Sequence, residues 1–288
     1  PHSPQSYRNP HDERSGDSHA WEVWHGHKPF EWYRNRKDRF LSEFGFQSFP
    51  EPATVYDFSE PEDRNITSYV MEFHQRSRIG NTTIIHYLLE WYQLPTNFDS
   101  LIWLSQILQG MAMKYGIEHW RRNLPRTMGA IYWQLNDMWG APSWASIDWL
   151  GRWKALHYMA KRFFSPLLIS GVENIQTNTV EVHVTSDRLE DTAATIRYSI
   201  TDAAGNELSS GELDTVAKAN DNTLATTLDF SEQVEAHTQR HLLVWLALSV
   251  DGEVVSENLV TFARPKHMNL LDPQLSLSID PVEDNVYD

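Results

Sequence analysis

The stretch RFLSEFGFQSFP, Arg39 to Pro50, sets one acid, Glu43, among Phe40, Leu41, Phe44, Phe46 and Phe49. An ionised carboxylate in apolar company loses hydration, and burying it without a partner is costly. A strand that ends at Glu43 and leaves sharply through Gly45 would place the acid where α/β barrels carry catalytic groups, at a strand's C-terminal end. The competing reading pairs Glu43 with a nearby arginine such as Arg39. Perturbed acids occur in both settings, so the flanking sequence has to decide.

Downstream, Asn97 or Asp99 can cap a helix whose apolar positions Leu101, Leu104, Leu108, Met111 and Tyr115 step by three and four. Arg121 and Arg122 near its end read as a solvated helix terminus. TMGAIYWQL (127–135) is an apolar run of strand length. GRWKALHYMAKRFF (151–164) then puts Trp153, Leu156, Ala160 and Phe163 on one helical face before Pro166. Strand alternating with helix predicts a parallel α/β architecture.

After Pro166 the period becomes two: Val180, Val182 and Val184 alternate with polar residues, as do Ile196, Tyr198 and Ile200. AAGN (203–206) and Asp251-Gly252 are turn signals. HLLVWLALSV (241–250) reads as a buried strand with EVVSENLVTF (253–262) as its hairpin partner. About seven short strands without a cysteine pair predict an immunoglobulin-like sandwich in architecture only. The expected divisions are 1–165, 166–266, and a linker entering a further β domain at 267–288.

The chain has 288 residues, more than one usual domain, and 41% are hydrophobic. No apolar run approaches the ~18 residues of a membrane span. A net charge of −15 disfavours nucleic acid and anionic membranes as partners. Zero cysteines exclude disulfides and thiolate metal sites. Asn65-Ile66-Thr67 and Asn81-Thr82-Thr83 are glycosylation sequons and favour a secreted protein. With neither an initiator Met nor a signal peptide at Pro1, the chain is expected to begin inside a longer precursor.

The chemistry-bearing residues crowd before Pro166, in SHAWEVWHG (18–26), SEFGFQ (42–47), YWQLNDMW (132–139) and PSWASIDW (142–149). Aromatic faces with polar edges suit the C–H faces of sugar rings. Any single tryptophan is more often a core residue, but clustering beside carboxylates and amides at strand-to-loop boundaries points to a site. His19, His25 and His27 beside Asp17, and His74 with His86, match no metal-ligand spacing, so neither metal nor cofactor is expected. Asn136 and Asp137 either orient sugar hydroxyls or brace their loop. Trp139, Trp144 and Trp149 are expected to shape a cleft wall.

These stretches resemble glycoside hydrolase family 2, and within it the β-mannosidases, most closely in SEFGFQSFP and MGAIYWQLNDMWGAPSWASIDW. The resemblance implies the C-terminal part of a (β/α)8 TIM barrel followed by the immunoglobulin-like β-sandwich. Its sixth, seventh and eighth strands would lie near 18–24, 38–43 and 128–134. It makes Glu43 the nucleophile and Trp133 a wall of the sugar subsite. His25 falls where the family often has Tyr; it and Trp24 are expected to line the substrate site, with His25 donating to Glu43 or to the sugar. The implied reaction is retaining, exo-acting hydrolysis of terminal β-D-mannose from manno-oligosaccharides.

Retention requires a second carboxyl group about 5 to 5.5 Å from the first. The family carries it in an Asn-Glu dipeptide. The one such dipeptide here, Asn206-Glu207, falls in an expected sandwich turn. The acid/base is therefore expected outside this segment, with an N-terminal part of the same protein completing the barrel. Other family 2 activities (β-galactosidase, β-glucuronidase, exo-β-glucosaminidase) and a non-catalytic carbohydrate-binding fragment are the alternatives.

Overall fold

The computed structural model describes residues 12–14 and 16–278, with the backbone alone of 281–283 and 286–287. The chain's first residues and part of the expected 267–288 segment lie outside the described residues. Strand β1 (Ser18–His19) turns at once into helix α1 (Glu22–Gly26). Strand β2 (Leu41–Glu43) pairs with β1 in parallel, setting Ser18 opposite Leu41 and His19 opposite Glu43.

A third track, 128–133, runs parallel along the other side of β2. Gly129 accepts from the Leu41 amide at 3.0 Å, and the Ile131 and Trp133 amides donate to Leu41 and Phe44 at 2.8 Å. The strands are shorter than expected. β1 stops where the His25 amide bonds back to Trp21 and starts α1, and 128–134 forms a hydrogen-bonded track with one isolated bridge, Leu41 to Ala130.

Helices α2 (Pro52–Asp57), α3 (Tyr69–His74), α4 (Gly80–Trp91) and α5 (Phe98–Arg122) follow β2, and α6 (Ala155–Phe163) follows the third track. Asn97, not Asp99, caps α5 by accepting from the Ser100 amide at 2.8 Å. The core under these helices is aromatic, with Trp24, Phe30, Tyr33, Phe44, Phe46 and Phe49 fully buried.

The start of β2 is anchored by Asp38, which is also fully buried. Its carboxylate accepts from the Arg36 guanidinium, from Ser18 Oγ at 2.5 Å and from Trp120 Nε1 at 3.2 Å. Its backbone carbonyl accepts from the Thr127 hydroxyl at 2.5 Å. Burial disfavours the Arg36 charge, but the bond to Asp38 outweighs it and the guanidinium pKa is raised.

The period-two region forms β3 (Leu167–Asn174), β4 (Thr179–Ser186), β5 (Thr192–Asp202), β6 (Glu207–Ala217), β7 (Asp221–Asp229), β8 (Leu242–Val250) and β9 (Glu253–Thr261), with helix α7 (Ser231–His237) before β8. They make two facing sheets, ordered β3-β4-β7 and β6-β5-β8-β9. Val180, Val182, Val184, Ile196, Ile200, Val244, Leu246 and Leu248 fill the space between them. Asp251 and Gly252 take φ of 51° and 86°, the backbone that a tight hairpin between β8 and β9 requires. Farther on, β10 (Pro281–Glu283) and β11 (Val286–Tyr287) pair antiparallel.

The end of α5 overturns one sequence expectation. Arg121 and Arg122 are not a solvated terminus. Arg121 donates to the carbonyls of Phe163 (2.9 Å) and Ser165 (2.6 Å) and to Asp187 (2.8 Å). Arg122 is packed beside Glu118, 3.7 Å away, and burial lowers its pKa to about 10 against the pull of that carboxylate. Glu118 in turn accepts from Asn258 of β9 at 2.7 Å. Basic residues end the helix, as its dipole favours, but the sandwich covers them.

Arg121→Ala should therefore lower stability to urea by about 2 kcal/mol, because buried carbonyls lose their donor. Arg197→Ala breaks an ion pair whose side chains are 74% and 54% exposed and should leave the urea midpoint unchanged.

Candidate active site

Glu43 is the last residue of β2 and its side chain is 29% exposed. Its Oε2 accepts from the Trp21 indole N–H at 3.2 Å and lies 3.5 Å from His19 Nδ1. The register explains both contacts. His19 sits opposite Glu43 across the β1–β2 pair, and the Ala20 amide donates to the Glu43 carbonyl at 2.9 Å. Trp21 is thus delivered to the carboxylate just before α1 turns away. Arg39 is exposed and does not supply the partner; among the described residues, Trp21 and His19 do.

Three tryptophans converge on Gly45. A Cβ there would lie 2.4 Å from the Trp133 carbonyl oxygen, 3.0 Å from Trp144 Cδ1 and 3.2 Å from the Trp21 ring. Glycine is needed for this close approach and not for a left-handed turn, which corrects the expected sharp exit. Trp21 meets Trp144 edge to face, with centroids 6.2 Å apart. Trp133 is 45% exposed and presents open aromatic surface beside this wall.

The other expected site residues divide. Trp24 is fully buried, packed edge-on against Phe46 at 5.1 Å and Trp144 at 5.8 Å, so it supports the wall from behind and offers no sugar face. His25 is exposed on α1, 5.5 Å from the Trp21 ring, and it is not the group that touches Glu43. Crowding by its neighbours lowers its imidazole pKa, which favours the neutral ring near pH 7. Asn136 is exposed, and its amide donates to the Asp137 carbonyl at 3.2 Å.

Asp137 is buried and accepts from Ser143 Oγ at 2.5 Å, so it braces the loop. Burial raises its pKa, opposed by Lys154, Ser143 and Gln134. Trp139 stacks on His74 of α3 at 4.6 Å and joins the two loops that follow β2 and the third track. Among the described residues no group of three His, Asp or Glu side chains could hold a metal ion. His27 instead stacks on His86 at 4.6 Å.

Sequence reasoning missed Trp21 and assigned His19 no part in this site, although both lie in the SHAWEVWHG segment. Composition alone could not say which of Trp21 and Trp24 faces the acid. That depends on where the strand stops and the helix starts. Asn206-Glu207 lies at a sandwich turn, where Asp202 Oδ1 accepts from the Asn206 amide at 2.9 Å, far along the chain from any of the parallel tracks.

Residues 178–267 match the Mannosidase Ig/CBM-like domain family. The chain is 32% identical over 266 residues to a β-mannosidase of Capra hircus, covering 86% of this chain and 30% of that protein. It is 31% identical over 280 residues to β-mannosidase A of Aspergillus fumigatus, covering 84% and 30%. The crystal structure of the Dictyoglomus thermophilum β-D-mannosidase superposes with a TM-score of 0.84 at 31% identity, covering 91% of this chain and 32% of that one. The chain spans about 30% of the length of the curated relatives it matches.

Gly45→Ala tests the wall. The added methyl meets a backbone oxygen that cannot swing aside, so the melting temperature should drop by several degrees, in keeping with about 1–3 kcal/mol of overpacking. An unchanged melting curve would mean that the three tryptophans are not held against Gly45 as described.

Proposed function

We propose that this chain, a homologue of the β-mannosidases over most of its length, is part of a family 2 retaining exo-β-mannosidase in which Glu43 is the nucleophile. The observation that carries the reading is the placement of Glu43. It stands at the C-terminal end of a parallel strand, partly open to solvent, oriented by an indole N–H and bordered by exposed Trp133. Trp21 holds Oε2, so Oε1 is the oxygen offered to an anomeric carbon.

In the first displacement Glu43 bonds to that carbon and the glycosidic C–O bond breaks. The leaving oxygen takes a proton from a second carboxylic acid. In the second displacement that carboxylate takes a proton from water, whose oxygen attacks the same carbon and releases Glu43. Trp133 would supply the apolar platform for the sugar ring. The names of the relatives favour β-mannosides over other family 2 substrates.

The acid/base and the remaining barrel strands are assigned to residues of the same protein outside this segment. Two features support this. The chain spans under a third of its relatives' length, and Met128 and Ile131 of the third track are at least half exposed. A closed barrel would cover such an edge. Neither a cofactor nor a nucleic-acid or membrane partner enters the reading. No helix among the described residues is long and apolar enough to cross a membrane.

Secretion would bring glycosylation, and the two sequons differ in readiness. Asn65 is exposed, whereas the Asn81 amide already donates to the Ile66 carbonyl at 2.9 Å. Peptide mapping of protein from a glycosylating host should find glycan at Asn65 in preference to Asn81, and no glycan at either would remove this support for secretion.

In the complete enzyme, Glu43→Gln should cut turnover of p-nitrophenyl β-mannoside by several orders of magnitude with the fold intact. Azide should partly restore Glu43→Ala. Trp21→Phe should lower kcat at least tenfold, the cost of a hydrogen bond to a charged group, and His25→Phe should change it far less. Near-normal turnover by Glu43→Gln would refute the assignment.

A further inference from the structure

Behind the tryptophan wall lies a buried polar cluster that the reaction above does not use. Ser48, five residues past Glu43, and Ser143, next to Trp144, exchange backbone hydrogen bonds at 2.9 and 3.0 Å. This short bridge joins the loop that leaves β2 to the loop that leaves the third track. Lys154, the residue before α6, is fully buried and aims its ammonium at the bridge. Its Nζ donates to the Ser48 carbonyl (3.3 Å) and Oγ (3.2 Å) and to the Ser143 carbonyl (3.2 Å) and Oγ (3.5 Å).

The cation's surroundings are acidic. Asp137 receives the Ser143 hydroxyl, and Asp148 receives that of Thr54 at 2.5 Å. Gln109 of α5 closes the cluster. It accepts from Ser48 Oγ at 2.7 Å and donates to the carbonyls of Phe46 at 2.8 Å and Ala145 at 3.2 Å. These carbonyls flank Gly45 and Trp144, the points where the wall meets β2.

A buried ammonium with this many oxygen partners is costly to place, since desolvating a charge is repaid only by well-formed hydrogen bonds and nearby counter-charge. What the ammonium adds is direction: one charged group holds both loops in a single register, at the level of Gly45. Burial lowers its pKa to about 8, opposed by Asp137, Asp148 and Glu51. It therefore remains mostly charged near neutral pH.

We infer that Lys154 is a positioning residue for the reaction proposed above: its buried ammonium clamps Ser48 to Ser143 and so fixes the Trp133–Trp144 wall and the exit of β2 relative to Glu43. It touches no reacting atom. Removing it should loosen the two loops locally and misplace the nucleophile, which costs turnover more than binding.

The test compares wild type with Lys154→Met in the complete enzyme, by hydrogen exchange and by kinetics on p-nitrophenyl β-mannoside. Amides of Ser48, Trp133 and Ser143 should exchange at least tenfold faster, with residues 178–267 unchanged, and kcat should fall at least tenfold with KM within threefold. Ser143→Ala, which removes one hydroxyl of the clamp and keeps the ammonium, should give a weaker version of the same pattern and serves if Lys154→Met does not fold. Unaltered exchange in these segments, or a loss of protection spread evenly into the sandwich, would overturn the inference. Absence of wild-type turnover on any aryl glycoside would count against the proposed function instead, while the exchange data would still judge the clamp.

Discussion

Buried Asp38 joins its own segment to three pieces of chain that are distant in sequence, two through its carboxylate and one through its backbone carbonyl. Ser18 brings β1 to it, Arg36 the segment before β2, Trp120 the long helix α5, and the Asp38 carbonyl receives Thr127 at the head of the third track. A buried acid is tolerable only when its lone pairs are filled, and here Arg36 fills them from the same segment while Ser18 and Trp120 do so from β1 and α5. The parallel register of β1, β2 and the third track follows from that satisfaction. Glu43 stands five residues farther along the chain, at the end of β2, so its location follows from the short segment that Asp38 anchors.

Beyond Glu43 the structure changes from hydrogen bonds to contact. Gly45 admits the Trp133 carbonyl and the Trp21 and Trp144 rings to distances that any side chain would block. Trp24 and Phe46 fill the space behind. The polar cluster of Lys154, Ser48, Ser143 and Gln109 then fixes the loops that carry those rings. Apolar packing alone tolerates small slips of one ring past another; directional bonds to backbone carbonyls do not. A rigid acid beside a rigid aromatic wall is what positioning for chemistry requires.

The sandwich is fastened to this α/β part through charge and amide groups. Asn258 bonds Glu118 at 2.7 Å and the Ile169 carbonyl at 3.0 Å, and accepts from Lys114 at 2.9 Å. Arg34 forms a paired contact with Glu173 at 2.8 and 2.9 Å. Such directional contacts define one relative orientation, which is why residues that look like surface charge in the sequence are buried in the structure.

Periodicity in the sequence was enough to locate the sandwich strands, the α5 stripe and Leu156, Ala160 and Phe163 of the α6 face, because those patterns report which side of an element is apolar, a local property; Trp153, expected on that face, precedes the helix and is exposed. The same local reading isolated Glu43 and Gly45 as an odd pair in an aromatic run, and the family resemblance attached a role to the acid. It could not say that Trp21 and not His25 meets Glu43, that Trp24 lies in the core, that Gly45 serves close approach, or that Arg121 and Arg122 are covered. Each of those depends on which distant segment arrives at the same place: β1 stopping at His19, the Trp133 carbonyl reaching Gly45, β4 and the Asp187 segment that follows it closing over the end of α5. Sequence determined the faces of the elements. Only the tertiary structure decided their partners, because a hydrogen bond or a ring contact is a relation between two positions and neither position alone encodes it.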